Sequence, residues 1–198
     1  TMGTPTRTDD TMASYSSRGP TFIDFNAKPD LVAPGTGIVS LSDATSTFYT
    51  TKAGFLLWGK RATSYKPYLS LSGTSMAAPV VTGTVALMLQ ANPALTPNAV
   101  KAILQYTSQV YPAYNFLTQG AGFLNTRGAV QLARFYRTAA PGVRFPKSKA
   151  WSRHIIWGTH RIRGGIIMPS ANAWSTKTVW GNERDDDGDN IVWGTECL

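Results

Sequence analysis

Cysteine is almost absent: Cys197 is the only one in 198 residues. That excludes an internal disulfide framework and any multi-cysteine zinc site. Histidine is scarce too, with His154 and His160 the only two, both late in the chain. Charged residues make up 15% of the chain against 42% hydrophobic, which excludes wholesale disorder, since that needs low hydrophobicity and dense charge. No apolar run reaches the roughly 20 residues of a membrane span. The longest, Met76 to Ala91, is interrupted by Thr82, Gly83, Thr84 and Gln90. Thr1 is not an initiator methionine, and nothing near it has the basic start, apolar middle and small-residue cleavage site of a signal peptide. The opening residues read as the middle of a domain. A soluble, globular fragment is therefore expected, long enough for one ordinary domain or for one domain plus a tail.

Positive charge is in surplus, 19 Lys/Arg against 11 Asp/Glu, for a net +8. The excess is spread, 11 against 5 up to Thr138 and 8 against 6 after it, with no dense stretch beyond the neighbourhood of Arg161 and Arg163. Nucleic-acid binders concentrate charge on one face and interleave aromatics with it. The pattern reads as that of a basic protein with no nucleic-acid partner.

The chain divides near Thr138. Before it, strand-like and helix-like segments alternate with short turn signals. Met12 to Ser16 reads as a short strand, Leu31-Val32-Ala33 as an apolar segment stopped by Pro34-Gly35, and Ile38 to Leu41 as the next strand. Asp43 to Pro67 is rich in Ser, Thr, Tyr and Gly and reads as an irregular excursion with room for a hairpin. Three helices follow. Met76 to Gln90 is small and apolar all round, the pattern of a helix buried on every side; its Pro79 requires a start close to Ser75. Pro97 to about Gln109 has Thr96 as N-cap, Pro97 at the first position and a Leu95–Val100 staple. Its Val100, Ile103, Leu104 and Thr107 form a semi-apolar stripe. The last helix runs from about Thr126 to Tyr136. Such an order of strands and helices predicts an α/β layered domain.

After Thr138 the texture changes. Five of the six tryptophans lie between Trp151 and Trp193. A short motif recurs as Ile155-Ile156-Trp157-Gly158-Thr159, Thr178-Val179-Trp180-Gly181-Asn182 and Ile191-Val192-Trp193-Gly194-Thr195. The copies are 23 and 13 residues apart, so they form no regular solenoid. Each reads as a β segment closed by a glycine turn, and residues 139–198 read as an appendage to a domain of residues 1–138, packed on it as ribbons or partly loose.

One stretch carries chemistry: Leu71-Ser72-Gly73-Thr74-Ser75-Met76-Ala77-Ala78-Pro79-Val80-Val81-Thr82-Gly83. Gly73 allows a close backbone approach that a side chain would block. Ser75 then stands at the N-terminus of an apolar helix, where free N–H groups and the helix dipole favour developing negative charge. A hydroxyl there can attack a carbonyl, and its own N–H can hold the oxyanion. Ala77 and Ala78 let a substrate or a catalytic partner come close. The rival reading of Ser75 is a simple N-cap.

Gly-Thr-Ser-Met-Ala-Ala-Pro followed by Gly83 resembles the serine motif of the subtilisin-like serine peptidases, the subtilases. Four further segments, in family order, carry the same resemblance: Tyr15-Ser16-Ser17-Arg18-Gly19-Pro20; Lys28-Pro29-Asp30-Leu31-Val32-Ala33-Pro34-Gly35; Asn92-Pro93 with Leu95-Thr96-Pro97; and Gly120-Ala121-Gly122-Phe123-Leu124-Asn125. The resemblance spans about residues 1 to 136. It implies the C-terminal half of a parallel-sheet, three-layer α/β domain, a peptide or protein substrate, an extracellular location and no required cofactor. In that family an Asp, a His and a Ser act in this chain order. Ser75 is then the nucleophile and its N–H half of the oxyanion hole, with Gly73 and Thr74 in support. The family's Asp and His motifs, and the Asn that completes the oxyanion hole, precede all these segments. No His-Gly-Thr motif occurs here, and no Asp-x-Gly precedes Ser75. The resemblance thus implies a serine endopeptidase half that has little or no activity alone.

Two other signals stand apart from the serine motif. Asp185, Asp187, Asp189 and Glu196 fall at positions 1, 3, 5 and 12 of a calcium loop, with Val192 at position 8. Asn190 stands where Gly is wanted, no helix enters, and an acidic turn explains the run equally. His154 and His160 read as surface or turn residues near Arg153 and Arg161, with a rearranged catalytic base as the rival. Two further functional readings stay open: a non-catalytic subtilase-like peptide binder, and a surface- or carbohydrate-binding role for the Trp-Gly segments. Oligomeric state is left open.

Overall fold

The computed structural model describes residues 4, 6–139, 143–157, 160–163, 178–184 and 190–193. The chain forms two compact units, one of residues 1–16 and 34–80 and one of residues 17–33 and 81–198.

The first unit is built on a three-stranded antiparallel sheet of β1 (Ile38–Leu41), β2 (Leu56–Leu57) and β3 (Tyr68–Leu71), in the order β1-β3-β2. Ile38 pairs with Leu71 and Leu41 with Tyr68, while Leu56 and Leu57 pair with Leu69 and Tyr68. Leu56 and Leu69, directly opposite, are buried and make the inner face of the sheet. The excursion between β1 and β3 holds a short helix, α1 (Thr47–Thr51), and a single 3₁₀ turn at Ala53–Phe55. Ser46 caps α1, its hydroxyl accepting from the Tyr49 N–H. The segment from Met12 to Ser16 forms a turn rather than a strand. Its Ser16 N–H closes on the Ala13 carbonyl at 3.0 Å, and the Tyr15 hydroxyl donates to the Gly35 carbonyl. These local bonds satisfy backbone that a strand would have paired elsewhere.

Helix α2 (Thr74–Ala91) runs from the first unit into the second. Its sequence predicts burial on every side, yet only Thr84 and Met88 are buried. Leu87 and Leu89 are 47% and 39% exposed. A helix apolar all round needs neighbours all round, and the described elements bury it fully only at Thr84 and Met88. With 18 residues it is also long and apolar enough, by length and composition, to cross a membrane, which the interrupted run Met76 to Ala91 did not predict.

The second unit centres on α3 (Pro97–Thr107) and α5 (Thr126–Thr138), with the short α4 (Phe116–Gln119) between them. Thr96 caps α3, accepting from the Ala99 N–H at 3.1 Å, and Leu95 and Val100 are both buried as a staple requires. Burial extends well beyond the expected stripe, taking in Ala99, Ala102, Gln105 and Tyr106. Asn125 caps α5 through Gly128 and ties it to α3 by donating to the Thr107 carbonyl at 3.0 Å.

Leu31 and Val32 form isolated bridges with Gly120 and Phe123, the Val32–Phe123 pair being parallel. The other ladders among the described residues are antiparallel. Gly122 makes this crossing possible: its φ is +137°, and a Cβ there would stand 2.5 Å from the Gln109 carbonyl oxygen.

The segment after residue 142 packs on α3. The Ser152 and Arg153 N–H groups donate to the Ser108 and Tyr106 carbonyls at 2.7 and 2.9 Å. Trp151 and Phe145 meet the Tyr106 ring edge-on. Burial, with Tyr106 alongside, pushes the Tyr136 hydroxyl far above its ordinary range, so it stays neutral. The strands β4 (His154–Trp157) and β5 (His160–Arg163) form one antiparallel pair, β6 (Thr178–Arg184) and β7 (Asn190–Trp193) another. Each Trp-Gly copy contributes to a strand, but Gly181 lies within β6, because that strand runs on to Arg184. Gly158 and Gly194 lie outside the described residues.

Gln105, fully buried, holds β4 in place: its amide donates to the Ile156 carbonyl at 3.1 Å and accepts from the Ile156 N–H. The same amide reaches Asp30 Oδ1 at 3.2 Å, and Asp30 also receives Lys28 and Lys101 at 2.8 and 2.9 Å. Gln105→Ala strands two buried backbone groups and should cost about 2–4 kcal/mol in urea unfolding. Lys101→Ala, which removes one half-exposed ion pair, should cost less than about 1 kcal/mol. Equal losses for the two would contradict this account. Gly122→Ala should likewise destabilise strongly, whereas Gly83→Ala, in open space inside α2, should stabilise by about 1 kcal/mol.

Candidate active site

The nucleophile candidate is set by a contact between two glycines in the first unit. The Gly73 N–H donates to the Gly35 carbonyl at 2.8 Å. A Cβ on Gly35 would meet the Gly73 oxygen at 2.7 Å and the Ala77 Cβ at 3.2 Å, so Gly35 and the small Ala77 are both needed for this approach. Around it, the Gly37 N–H donates to Ser72 Oγ at 2.9 Å. The Tyr15 hydroxyl bonds to the Gly35 carbonyl at 3.0 Å and to Thr36 Oγ1.

From this anchored turn α2 departs at Thr74, and Ser75 is its second residue. The cap position belongs to Gly73, which has no side chain, so Ser75 is not the helix N-cap. The Gly73 carbonyl accepts from the Met76 and Ala77 N–H groups at 3.0 and 3.3 Å. Among the described residues the Thr74 and Ser75 N–H groups have no acceptor, which leaves two donors of the first turn for an incoming group. Thr74 and Ser75 are exposed, and among the described residues the Ser75 hydroxyl makes no hydrogen bond. Pro79 carries no N–H for the Ser75 carbonyl four residues earlier. The result is an accessible hydroxyl beside unspent N–H donors and the positive end of an 18-residue helix. That arrangement suits attack on a carbonyl and stabilisation of the oxyanion that follows.

His154 is buried on β4, not at a surface or a turn. The same Arg161 guanidinium nitrogen lies 3.0 Å from its Nε2 and 3.5 Å from its Nδ1. Nδ1 faces Ser152 Oγ at 3.0 Å, and that oxygen accepts from the His154 N–H at 3.1 Å. Both ring nitrogens of His154 are thus engaged in holding the strand, a role that sequence reading missed because its partners lie two and seven residues away across a hairpin. His160 is on β5.

Among the described residues no cluster of His, Cys, Asp or Glu could hold a metal ion. Asp185, Asp187, Asp189, Glu196 and Cys197 lie outside the described residues. Trp151 is buried against Tyr106, so it offers no exposed ring to a carbohydrate.

These residues match known proteins in sequence. Residues 2–132 match the model of the subtilase family, Peptidase_S8. The serine protease AprX of Bacillus subtilis (strain 168) is 41% identical over 122 residues, which are 62% of this chain and 26% of that protein. The subtilisin-like protease SBT1.9 of Arabidopsis thaliana is 36% identical over 129 residues, 64% of this chain and 16% of that one. Among solved structures, fervidolysin from Fervidobacterium pennivorans, a keratinolytic enzyme related to subtilisin, aligns over 50% of this chain and 14% of its own. Its TM-score is 0.39 at 31% identity. The chain therefore spans about a quarter or less of the length of these relatives. With the family model covering most of its length and the serine turn at its centre, the chain belongs to the subtilase family.

Proposed function

We propose that residues 1–138 are the nucleophile-bearing part of a subtilisin-like serine endopeptidase domain, with the parallel-sheet, three-layer architecture completed by polypeptide outside these 198 residues. The observation that carries this reading is the exposed Ser75 hydroxyl beside the unengaged Thr74 and Ser75 N–H groups. Ser75 Oγ attacks the carbonyl carbon of a peptide bond, giving a tetrahedral intermediate whose oxygen the Ser75 N–H helps to hold. Collapse expels the amine and leaves an acyl ester on Ser75, which water then hydrolyses. The proton of the hydroxyl must pass to an imidazole and on to the leaving amine. His154 is engaged with Arg161 and Ser152; in this reading the base and the Asp that orients it come from the family's preceding segments, and the chain by itself is inactive.

The substrate is a peptide or protein, the working location is extracellular as in the family, and the chemistry requires no cofactor. In this reading the uncovered flanks of α2 are the surface on which the base-bearing part packs, rather than a bilayer-facing span.

The test joins this chain behind the part of AprX that precedes the matched residues and follows hydrolysis of a peptide substrate. Activity is expected from the joined protein and none from the 198-residue chain alone. Ser75→Ala should lower kcat by a factor on the order of 10⁴ or more with little change in KM. Undiminished hydrolysis by the Ser75→Ala protein would overturn the assignment. Thr74→Ser should cost at most about tenfold, as befits a group beside the oxyanion site.

A further inference from the structure

We propose that the excursion between β1 and β3 is a docking surface for an extended peptide segment rich in acidic and apolar residues, carried by the protein substrate. Its purpose rests on the peptidase reading; its binding chemistry does not.

The register of the sheet sets Leu41, Tyr68 and Leu57 side by side on one face, with Val39 two residues from Leu41 on that same face. Val39, Leu41 and Leu57 are 52%, 78% and 41% exposed. Phe55 and Trp58, flanking β2, are 56% and 60% exposed. A face of this kind is costly to leave in water and marks a binding surface.

Charge selects the partner. Between Ser42 and Tyr68 the chain has Lys52, Lys60, Arg61 and Lys66 against a single carboxylate, Asp43. Asp43 is occupied by the Thr45 N–H and hydroxyl at 2.9 and 2.8 Å. Lys52, Lys60 and Arg61 are exposed, and none forms an ion pair among the described residues. A partner that covers the apolar face therefore brings carboxylates with it.

Backbone geometry selects the kind of partner. β1 and β2 are the two edges of the sheet; the Leu56 N–H of β2 is spent on the Ala53 carbonyl, whereas the outward N–H and C=O groups of Val39 and Leu41 on β1 have no partner among the described residues. An extended peptide supplies matching groups by adding a strand, whereas lipid chains cannot satisfy them. Single-stranded nucleic acid would find the exposed rings of Phe55 and Trp58, but it does not supply the alternating N–H and C=O groups that match a strand edge. The surface is also close to the chemistry. β3 ends at Leu71, four residues before Ser75, a span of at most about 14 Å, so a segment docked there is held at high effective concentration near the nucleophile.

The test uses the full chain carrying Ser75→Ala, so no probe is cleaved. Fluorescence anisotropy follows a labelled peptide in which Glu and Asp alternate with Val and Leu, beside a control with Lys in the acidic positions. The acidic peptide should bind about tenfold or more tightly than the control, and its affinity should fall as salt is raised. The double variant Lys60→Glu/Arg61→Glu should weaken it about tenfold, Lys52→Glu and Trp58→Ala several-fold, and Arg134→Glu on α5 not at all. Circular dichroism checks that each variant keeps its helix content, and any that does not is replaced by Lys60→Gln/Arg61→Gln. Equal affinity for the two peptides, or indifference to the charge reversals in folded protein, would overturn the proposal. So would displacement of the acidic peptide by phosphatidylserine vesicles or oligothymidylate at lower concentration than by unlabelled peptide. None of these outcomes depends on Ser75 chemistry, so the peptidase reading and this one fail separately.

Discussion

The hydrogen bond from the Gly73 N–H to the Gly35 carbonyl is the constraint on which the serine turn depends. It brings two backbone segments closer than any side chain at Gly35 would permit, and it fixes where α2 begins. Once Gly73 is pinned, its own carbonyl takes up the Met76 and Ala77 N–H groups. The donors left over are those of Thr74 and Ser75. Placement of the hydroxyl, its exposure and the unspent donors are therefore one geometric consequence rather than three separate features. The Lys28-Pro29-Asp30 to Gly35 stretch divides accordingly: its end serves the serine turn, while Asp30 gathers Lys28, Lys101 and Gln105 in the other unit.

In that second unit the organising element is α3. Its buried Gln105 treats the Ile156 backbone as a neighbouring strand would, donating to the carbonyl and accepting from the N–H. Together with Tyr106, Trp151 and Phe145, this amide makes the first part of residues 139–198 a packed layer on α3. An unpaired Ile156 peptide under that layer would carry a full desolvation penalty, which explains why an amide occupies a position that helical periodicity alone would fill with an apolar side chain.

Local chemistry was legible in the sequence. The Thr96 cap, the Pro97 start and the β1 strand follow from the residues themselves, as does the start of α2 near Ser75. So does the serine motif, because Gly-Thr-Ser followed by small residues fixes both a turn and a helix start. The two main helices came out exchanged in their burial. α2, apolar all round, is mostly exposed, whereas α3, with only a semi-apolar stripe, is buried over Ala99, Val100 and Ala102–Thr107. Apolar content states what a helix needs, not what its neighbours within the chain provide. His154 and Gln105 were illegible for a related reason. Their roles rest on pairings across a hairpin or over 51 residues, which no local pattern records.

The central claim is that Ser75 is the atom-bearing nucleophile and that α2 delivers it. The most direct measurement is mass-spectrometric mapping of the residue modified by a fluorophosphonate in the protein joined to an Asp- and His-bearing subtilase segment. The account predicts one phosphonyl group per chain on Ser75, with Ser70 and Ser72 unmodified and no adduct on the 198-residue chain by itself. An adduct on another serine, or an active joined protein whose Ser75 stays unmodified, would contradict it.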